Sequence, residues 1–142
     1  MTSEVSVEML EPITALAVNP QTSAYCAGND EGTVTFSKNG SNDVVVLSQG
    51  FMTVTHLLWS EDESIIVTAD LSGRISVRSL DVSSTLPREQ ALFRISAQGS
   101  IYQILLSLKS SHLLIYTSKS AQIWSMSSKK RVAGCVLQDS LL

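Results

Sequence analysis

An internal repeat is the feature that most restricts the fold of this chain. Residues 54–78 (VTHLLWSEDESIIVTADLSGRISVR) align without a gap on residues 13–37 (ITALAVNPQTSAYCAGNDEGTVTFS), and the alignment places Gly73 on Gly32. Both copies read as a strand, a polar turn, a strand, a glycine-containing turn and a strand. Because supersecondary units that recur at a fixed period pack on one another, the sequence predicts an all-β repeat fold.

A period in the low forties, with three short strands per copy and room for a fourth, is typical of β-propeller blades. We therefore predict about three consecutive four-stranded antiparallel blades of an incomplete, open propeller, over residues 13–47, 54–96 and 101–137. Residues 4–9 alternate between apolar and polar side chains, which predicts the outer strand of a preceding blade. The predicted blade strands are 13–18, 24–27, 33–37 and 44–47, then 54–59, 65–68, 74–79 and 91–96, and finally 101–106, 113–117, 121–125 and 131–137.

Short polar connections separate the predicted strands. Turns at 28–32, 69–73 and 118–120 stand between the second and third strand of each blade, and Asn39-Gly40 is a strong hairpin signal. Residues 80–90 are predicted to form a loop inserted before the last strand of the second blade, which is tolerable because loop-closure entropy grows slowly with length. Turns positioned by rigid blades are the expected binding surface.

Composition excludes several classes of partner. The chain has 142 residues, of which 44% are hydrophobic and 16% charged, as expected for a folded domain and not for a disordered segment. Its net charge of −3 gives no electrostatic reason to expect nucleic acid or an anionic membrane. No apolar run approaches the ~20 residues that span a bilayer, and the first residues lack the basic segment of a signal peptide. A cytoplasmic protein with protein partners is the expectation.

Candidate catalytic and metal-binding residues are few. His56 and His112 are the only histidines, and a shared metal site would need further ligands at suitable spacing, so a polar strand residue and a turn residue are favoured. Cys26 and Cys135 lie far apart in apolar surroundings, which indicates reduced thiols. Cys26 could be a nucleophile paired with a distant His, but a buried core cysteine is the favoured interpretation. We predict no catalytic, cofactor-binding or metal-binding residues.

Several short motifs match patterns of known chemistry but are better explained as exposed turns. The Ser127–Lys130 segment has the S-x-x-K spacing of penicillin-binding enzymes without their other motifs, and Asn39–Ser41 fits a glycosylation acceptor. The acidic runs at 29–31 and 61–63 are too short for a calcium loop. The basic run Lys129–Arg131 lacks the aromatic neighbours of a single-strand binding surface.

The two tryptophans, Trp59 and Trp124, lie on predicted strands among apolar neighbours. Such positions predict packing between blades. If either ring is instead exposed on the turn-bearing surface, it becomes a candidate contact hot spot.

The three copies resemble WD repeats. The resemblance rests on NDEGTVTF and DLSGRISV, where that family has Asp-Gly-Thr-Val before a Trp, and on AQIWSM, which keeps the Trp as Trp124. Ser37 and Arg78 stand at the other two Trp positions, and Glu31 and Ser72 stand where the family often has Asp. The resemblance therefore rests on period and strand pattern, and it implies a propeller that binds other proteins.

Nearly the whole chain, including QILLSLKSSHLLIYTSKSAQIWSM, also resembles the C-terminal propeller of large fungal WD-repeat proteins. Many of those proteins carry an N-terminal NACHT-type NTPase module, and their propeller is regarded as a sensing or protein-binding platform. No G-x-x-x-x-G-K-[ST] loop occurs in this chain. The resemblance therefore implies a fragment of such a receptor.

Three blades and a leftover strand cannot close a ring of roughly four to eight blades. The faces of the two terminal blades are therefore expected to expose apolar residues, and self-association through the open blade edges is a further expectation. The predicted function is a non-catalytic scaffold for protein–protein contacts. One alternative is a fragment of a propeller hydrolase or lyase, which would need polar catalytic groups at the strand starts Ile13, Val54 and Ile101. Another is a non-functional truncated gene product.

Overall fold

The computed structural model of this protein describes residues 12–19, 22–38, 44–81, 88–107 and 109–136. Twelve strands lie in these ranges: β1 Ile13–Val18, β2 Tyr25–Asn29, β3 Thr33–Ser37, β4 Val45–Gln49, β5 Val54–Trp59, β6 Ile65–Asp70, β7 Arg74–Asp81, β8 Arg88–Ser96, β9 Ile101–Leu106, β10 His112–Thr117, β11 Ser120–Ser125 and β12 Lys130–Val136. They form three four-stranded antiparallel meanders, namely sheet A (β1–β4), sheet B (β5–β8) and sheet C (β9–β12). Across the same ranges, no helix is long and apolar enough to cross a membrane.

The sheet plan confirms the predicted fold class, because the three sheets are consecutive, four-stranded and all-β. β1, β3, β5 and β9 have the predicted bounds. The predicted loop at 80–90 is wrong at both ends, since β7 continues to Asp81 and β8 begins at Arg88. Leu80 gives the physical reason: it is only 5% exposed in the core and pairs with Glu89, so strand pairing continues where a loop was expected.

Four predictions fall wholly or partly outside the described residues. They are the outer strand at 4–9, the Asn39-Gly40 hairpin turn with its glycosylation-like motif, residues 82–87 of the loop predicted at 80–90, and the end of the third predicted blade at residue 137.

Strict alternation of side chains gives the middle sheet two apolar faces. Val67 pairs with Val77 and belongs to the core shared with sheet C, whereas the adjacent Ile66 belongs to the core shared with sheet A. Successive side chains of a strand point to opposite faces, so a sheet covered on both sides must be apolar at every central position. Ile66, Val67 and Val77 are at most 1% exposed, and each such burial contributes about 1.5–3 kcal/mol of transfer free energy.

The core between sheets A and B, called the A–B core, centres on Phe36 and Trp59. Their rings meet edge to face with centroids 5.6 Å apart, a favoured geometry for aromatic pairs. β2 comes close to β5 at Gly28, where an added Cβ would lie 2.6 Å from Cγ1 of Val54. The buried residues of this core are Ala24, Cys26, Val34, Phe36, Val54, Leu57, Ile66 and Leu80.

The core between sheets B and C, called the B–C core, is apolar as far as the outer strands. Phe93 of β8 and Trp124 of β11 stack there, with ring centroids 6.4 Å apart and planes inclined by 25°. Both rings pack against the buried residues of this core, which are Val67, Ala69, Ile75, Val77, Ile95, Ile104, Leu113 and Ile115.

One end of the stack carries the turns that join the second and third strand of each sheet. In a meander, the connection to the next sheet leaves from the same end, because strand direction alternates. This turn end comprises the turns 30–32, 71–73 and 118–119 and the connections 50–53 and 97–100.

Thr53 ties the turns of sheets A and B together. Its Oγ1 donates to the carbonyl oxygen of Asp30 at 2.8 Å, and its own carbonyl oxygen accepts from the N–H of Leu71 at 2.9 Å. Between sheets B and C, the N–H of Ser118 donates to the carbonyl oxygen of Ser100 at 2.9 Å. Hydrogen bonds to the connecting segments therefore fix the turns of neighbouring sheets relative to each other.

Candidate functional site

The predicted binding turns lie at the turn end but are shorter than predicted. Residues 28–29 end β2, residues 69–70 end β6, and Ser120 begins β11. The strands run further into each connection because a polar side chain at the strand end holds the turn closed.

Asn29, Asp70 and Thr117 are these turn-closing residues. Oδ1 of Asn29 accepts from the N–H groups of Glu31 and Thr33 at 3.0 and 2.9 Å. Asp70, which holds the position of Asn29 in the second copy of the repeat, accepts two equivalent backbone bonds, and Oγ1 of Thr117 does so in sheet C. The turns are therefore rigid by local side-chain bonding, as Asx-type turns are.

The two histidines occupy separate polar surroundings. Nδ1 of His56 lies 2.9 Å from Oγ1 of Thr55, and its Nε2 lies 3.2 Å from the carbonyl oxygen of Tyr102. Nδ1 of His112 lies 2.9 Å from Oγ of Ser111. Within the described ranges, no three His, Cys, Asp or Glu side chains form a group that could hold a metal ion. His56 acts as a link between β5 and β9.

Cys26 lies in the A–B core and is 0% exposed. Burial, and secondarily the carboxylate of Glu63, raises the pKa of its thiol to about 12. Since the thiolate is the reactive form of cysteine, Cys26 is unreactive near neutral pH and has the character of a core residue. Cys135 is exposed on β12.

The acidic turn after β5 is held by its own side chains. Oδ1 of Asp62 accepts from Oγ of Ser64 at 2.6 Å, from the N–H of Ser64 at 3.0 Å and from Oγ of Ser60 at 2.7 Å. These bonds, led by that from the Ser64 hydroxyl, lower the pKa of Asp62. Oε1 of Glu63 accepts from Nδ2 of Asn19 at 2.9 Å, which joins sheet B to sheet A. The carboxylates therefore stabilise the turn and the stack.

The first three residues of the Ser127–Lys130 motif lie in the hairpin turn between β11 and β12, as predicted, and Lys130 begins β12. The N–H of Lys129 donates to the carbonyl oxygen of Ser125 at 2.9 Å, and the N–H of Ser128 donates to Oγ of Ser125 at 3.2 Å. Penicillin-binding chemistry needs this motif at the start of a helix. An exposed turn does not provide that setting.

Both tryptophans pack between sheets, which confirms the prediction. Trp59 belongs to the A–B core, and its Nε1 donates to the carbonyl oxygen of Glu63 at 3.0 Å. Trp124 belongs to the B–C core, and its Nε1 donates to Oε1 of Gln122 at 2.9 Å. Each indole therefore has its polar atom satisfied while its rings fill space between sheets.

The inner strands β1, β5 and β9 would face the channel of a propeller, where a propeller enzyme would need convergent acids, bases or arginines. These strands have the sequences ITALAV, VTHLLW and IYQILL, in which the titratable residues are His56 and Tyr102. Their starts at Ile13, Val54 and Ile101 are apolar.

A groove of about 390 Å³ lies between sheets A and B at the turn end. Three arginines line it, Arg74 and Arg78 from β7 and Arg94 from β8, and we call it the arginine groove. Ser76 stands between the first two on β7 and pairs across the strands with Arg94. Part of the lining is the connection 50–52. Sequence reasoning missed this cluster, although alternate positions of one strand share a face.

Positive charge exceeds negative charge in the arginine groove. Nη1 of Arg78 lies 3.6 Å from Oε1 of Glu89, whose Oε2 is buried without a hydrogen-bond partner. Burial raises the pKa of Glu89, and the guanidinium of Arg78 opposes that effect. Asp70 also lines the groove, but its Oδ1 already accepts the N–H groups of Ser72 and Arg74.

Comparison with known proteins adds no family to this picture. No protein-family model matches the chain, and no curated protein matches it. The candidates for function are therefore the arginine groove and the exposed faces of the stack.

Proposed function

We propose that this chain is a non-catalytic scaffold for protein–protein contacts, built of propeller-type blades. Its contact surface is the outer face of sheet C, the face turned away from sheet B. The partner that fits this face is a further four-stranded sheet of the same blade type. The observation that carries the proposal is that this face is apolar at certain positions of the repeat. In sheet B, the residues at the same positions are covered by sheet C.

The face of sheet B that sheet C covers is the reference for comparison with the outer face of sheet C. It contains the directly paired residues Val67 and Val77, and next to them Ala69 and Ile75. All four are at most 1% exposed, because sheet C packs on them.

The outer face of sheet C is apolar at the equivalent positions, but no described sheet packs on it. Leu114 pairs with Ile123 at the position of Val67 and Val77 in the repeat, and Tyr116 follows on the same face. Ile123 is 37% exposed and Tyr116 41% exposed, and nearby on β9 Leu105 is 43% exposed. Contiguous exposed apolar patches of this kind mark protein-interaction sites.

The finer part of the proposal assigns the scaffold to a WD-repeat propeller in the sensor region of a NACHT-type receptor. It is supported by Trp124 at the repeat's Trp position and by the glycine turns at Gly32 and Gly73, which have φ values of 92° and 89°. Sequencing the gene on both sides of this reading frame tests it. A gene without an NTPase module would remove the receptor assignment and leave the scaffold proposal standing.

Analytical ultracentrifugation of the purified chain tests the contact surface. The sheet available in such a solution is that of a second copy, so we expect concentration-dependent self-association and binding of a hydrophobic dye. The double variant Tyr116→Glu, Ile123→Glu places two charges on the outer face, and it should be monomeric with a weaker dye signal. The control Ser127→Glu, in an exposed turn, should behave like the wild type.

Circular dichroism of the double variant must show the wild-type strand spectrum for this comparison to count. A wild-type chain that stays monomeric up to high concentration and binds no dye would overturn the proposal. Self-association that persists in the double variant would also overturn it, because the contact would then lie elsewhere.

A further inference from the structure

We propose that the arginine groove between sheets A and B binds a phosphate monoester group. The groove is separate from the outer face of sheet C, and binding there does not depend on that face. It combines a built cavity, three cationic side chains and a shortage of internal counter-charge.

The blade architecture does not require these arginines. The repeat places other residues at the three positions in the neighbouring sheets, and none of them is cationic. Arg74, Arg78 and Arg94 correspond to Thr33, Ser37 and Val46 in sheet A and to Ser120, Trp124 and Gly134 in sheet C. A cluster present in one blade only therefore needs a reason other than blade stability.

Strand geometry brings the three side chains onto one small area. Arg74 and Arg78 flank Ser76 on the same face of β7, each about 7 Å from it along the strand. Arg94 stands directly opposite Ser76 on β8, with Cβ atoms about 5 Å apart. Three long side chains rooted around one residue can converge on a group of the size of a phosphate.

The charges of the groove are left partly uncompensated. Arg74 and Arg94 are exposed, and neither side chain makes a hydrogen bond or an ion pair with a described residue. The 3.6 Å separation between Arg78 and Glu89 is longer than the roughly 2.7–2.9 Å of a strong charge-assisted bond. A bound dianion would relieve the mutual repulsion of the guanidinium groups, and their planar forks match the oxygens of a phosphate.

A compact anion suits the groove better than an extended polyanion. The chain carries a net charge of −3, and the turn that borders the groove at Gly32 exposes Asp30 and Glu31. These charges repel a nucleic acid or an anionic membrane surface. The hydroxyl group of Ser76 in the lining adds a neutral donor for a phosphate oxygen, whereas that of Ser72 already donates to Oδ1 of Asp70.

Isothermal titration calorimetry with three probes tests this binding and identifies its source. The probes are inorganic phosphate, a short neutral peptide with one phosphoserine, and the same peptide unphosphorylated. We expect saturable binding of the first two, weakened by added salt, and none of the third. Tighter binding of the phosphopeptide would indicate a phosphorylated protein as the source, and equal binding would indicate a free phosphorylated metabolite.

Two exposed arginines can be replaced without disturbing the core. Arg74→Gln and Arg94→Gln should each weaken phosphate binding at least about tenfold, because each removes hydrogen bonds to a charged ligand. The matched control is Arg131→Gln, an exposed arginine on β12 of sheet C, which should leave affinity unchanged. The outer-face variant Tyr116→Glu, Ile123→Glu should also bind phosphate normally.

Two results would overturn the inference. One is a wild-type chain that shows no saturable heat with phosphate or the phosphopeptide at low salt. The other is an equal loss of affinity in Arg131→Gln and Arg94→Gln. Phosphate would then be attracted by surface arginines in general and not by a site in the arginine groove.

Discussion

The two interfaces between sheets use the same strand positions but complete them differently. The A–B core is apolar at its centre, around Phe36 and Trp59, and gives way to the arginine groove on its outer side. The B–C core is apolar throughout, because Phe93 and Trp124 fill the corresponding outer space. The apolar centre is therefore common to both interfaces. The side chains at the outer positions differ, and in the A–B interface they form a groove.

One pair of equivalent positions accounts for much of this difference. Trp124 fills the space in front of sheet B, whereas Arg78 stands at the same repeat position in front of sheet A and turns toward Glu89. Opposite them, Phe93 in sheet B corresponds to Val45 in sheet A. Two large rings fill one interface at these positions, whereas the other interface has an arginine and a valine there.

Phe36→Ala should have the largest effect on stability. Phe36 is 1% exposed and contacts Trp59, and deletion of a buried aromatic side chain costs about 3–5 kcal/mol. Urea denaturation followed by circular dichroism measures the loss. Phe93→Ala is the matched variant of the B–C core, and because Phe93 is only half-buried, its loss should be smaller. Equal losses in the free energy of unfolding for the two variants would contradict this difference between the A–B core and the B–C core.

Trp124→Arg should convert the outer side of the B–C core into a copy of the A–B arrangement. The variant loses the stack on Phe93 and places a charge without an internal partner against an aromatic ring, so we expect about 2–4 kcal/mol of destabilisation. The reciprocal Arg78→Trp should abolish phosphate binding, because the indole fills the arginine groove. Wild-type stability of Trp124→Arg would show that the stacked rings are not what closes this interface.

Gly32→Ala and Gly73→Ala should destabilise both interfaces by similar amounts. Both glycines have positive φ, and an added Cβ would lie 2.7 Å from the carbonyl oxygen of Met52 at Gly32 and 2.8 Å from that of Ala97 at Gly73. Strain in this backbone region costs about 1–3 kcal/mol. Gly50→Ala is the control, since its Cβ would have 3.4 Å of clearance. Thermal melts measure the three variants, and a loss confined to one turn would contradict the equivalence of the interfaces.

Thiol labelling should distinguish the A–B core from the surface without any substitution. Cys135 is exposed and should react with a thiol reagent at once, whereas Cys26, with its pKa raised to about 12 by burial, should react only when the core opens. The stoichiometry measured with and without denaturant gives the answer. Two reactive thiols in the native protein would mean that sheets A and B separate readily.

The turn after β5 in sheet B should make the stability of the protein depend on acidic pH, whereas the equivalent turn in sheet C should not. Hydrogen bonds lower the pKa of Asp62, so its contribution is present above the ordinary Asp pKa of about 3.9 and is lost as pH falls through the lower folded value. Lys109 holds the equivalent position in sheet C. Denaturant midpoints between neutral and acidic pH should fall less steeply in Asp62→Asn than in the control Glu61→Gln. Parallel curves for the two variants would argue against this role.

The strand pattern was predictable because alternation and turn residues are local signals. The predicted bounds of β1, β3, β5 and β9 are correct: β1, β5 and β9 start at apolar residues, β3 starts directly after Gly32, and Asn19 follows the end of β1. The ends of β2 and β6 were missed because their extension depends on hydrogen bonds from the turn to Asn29 and Asp70. The signal in the sequence is the equivalence of Asn29 and Asp70 in the repeat, because both have a side-chain oxygen that can accept the N–H groups of the turn.

The candidate site was not predictable from the same signals. Arg78 was interpreted as a lost Trp of the resembled repeat, which describes what is missing and not what replaces it. Arg94 lies on the next strand of the chain, and only the register of β7 with β8 places it opposite Ser76. A cluster formed across strands depends on pairing that includes the bulge near Val77, and such an irregularity is not visible in the sequence.

The close approach at Gly28 has a consequence for how the stack can grow. The equivalent positions are Gly28 in sheet A, Ala69 in sheet B and Tyr116 in sheet C, so the side chain that meets the incoming sheet grows along the chain. A Cβ at Gly28 already collides with Val54. A sheet placed on sheet C at the spacing between A and B would therefore collide with the ring of Tyr116. The stack is graded and not periodic, which discourages open-ended head-to-tail fibres of identical copies and requires a recess in whatever sheet covers Tyr116.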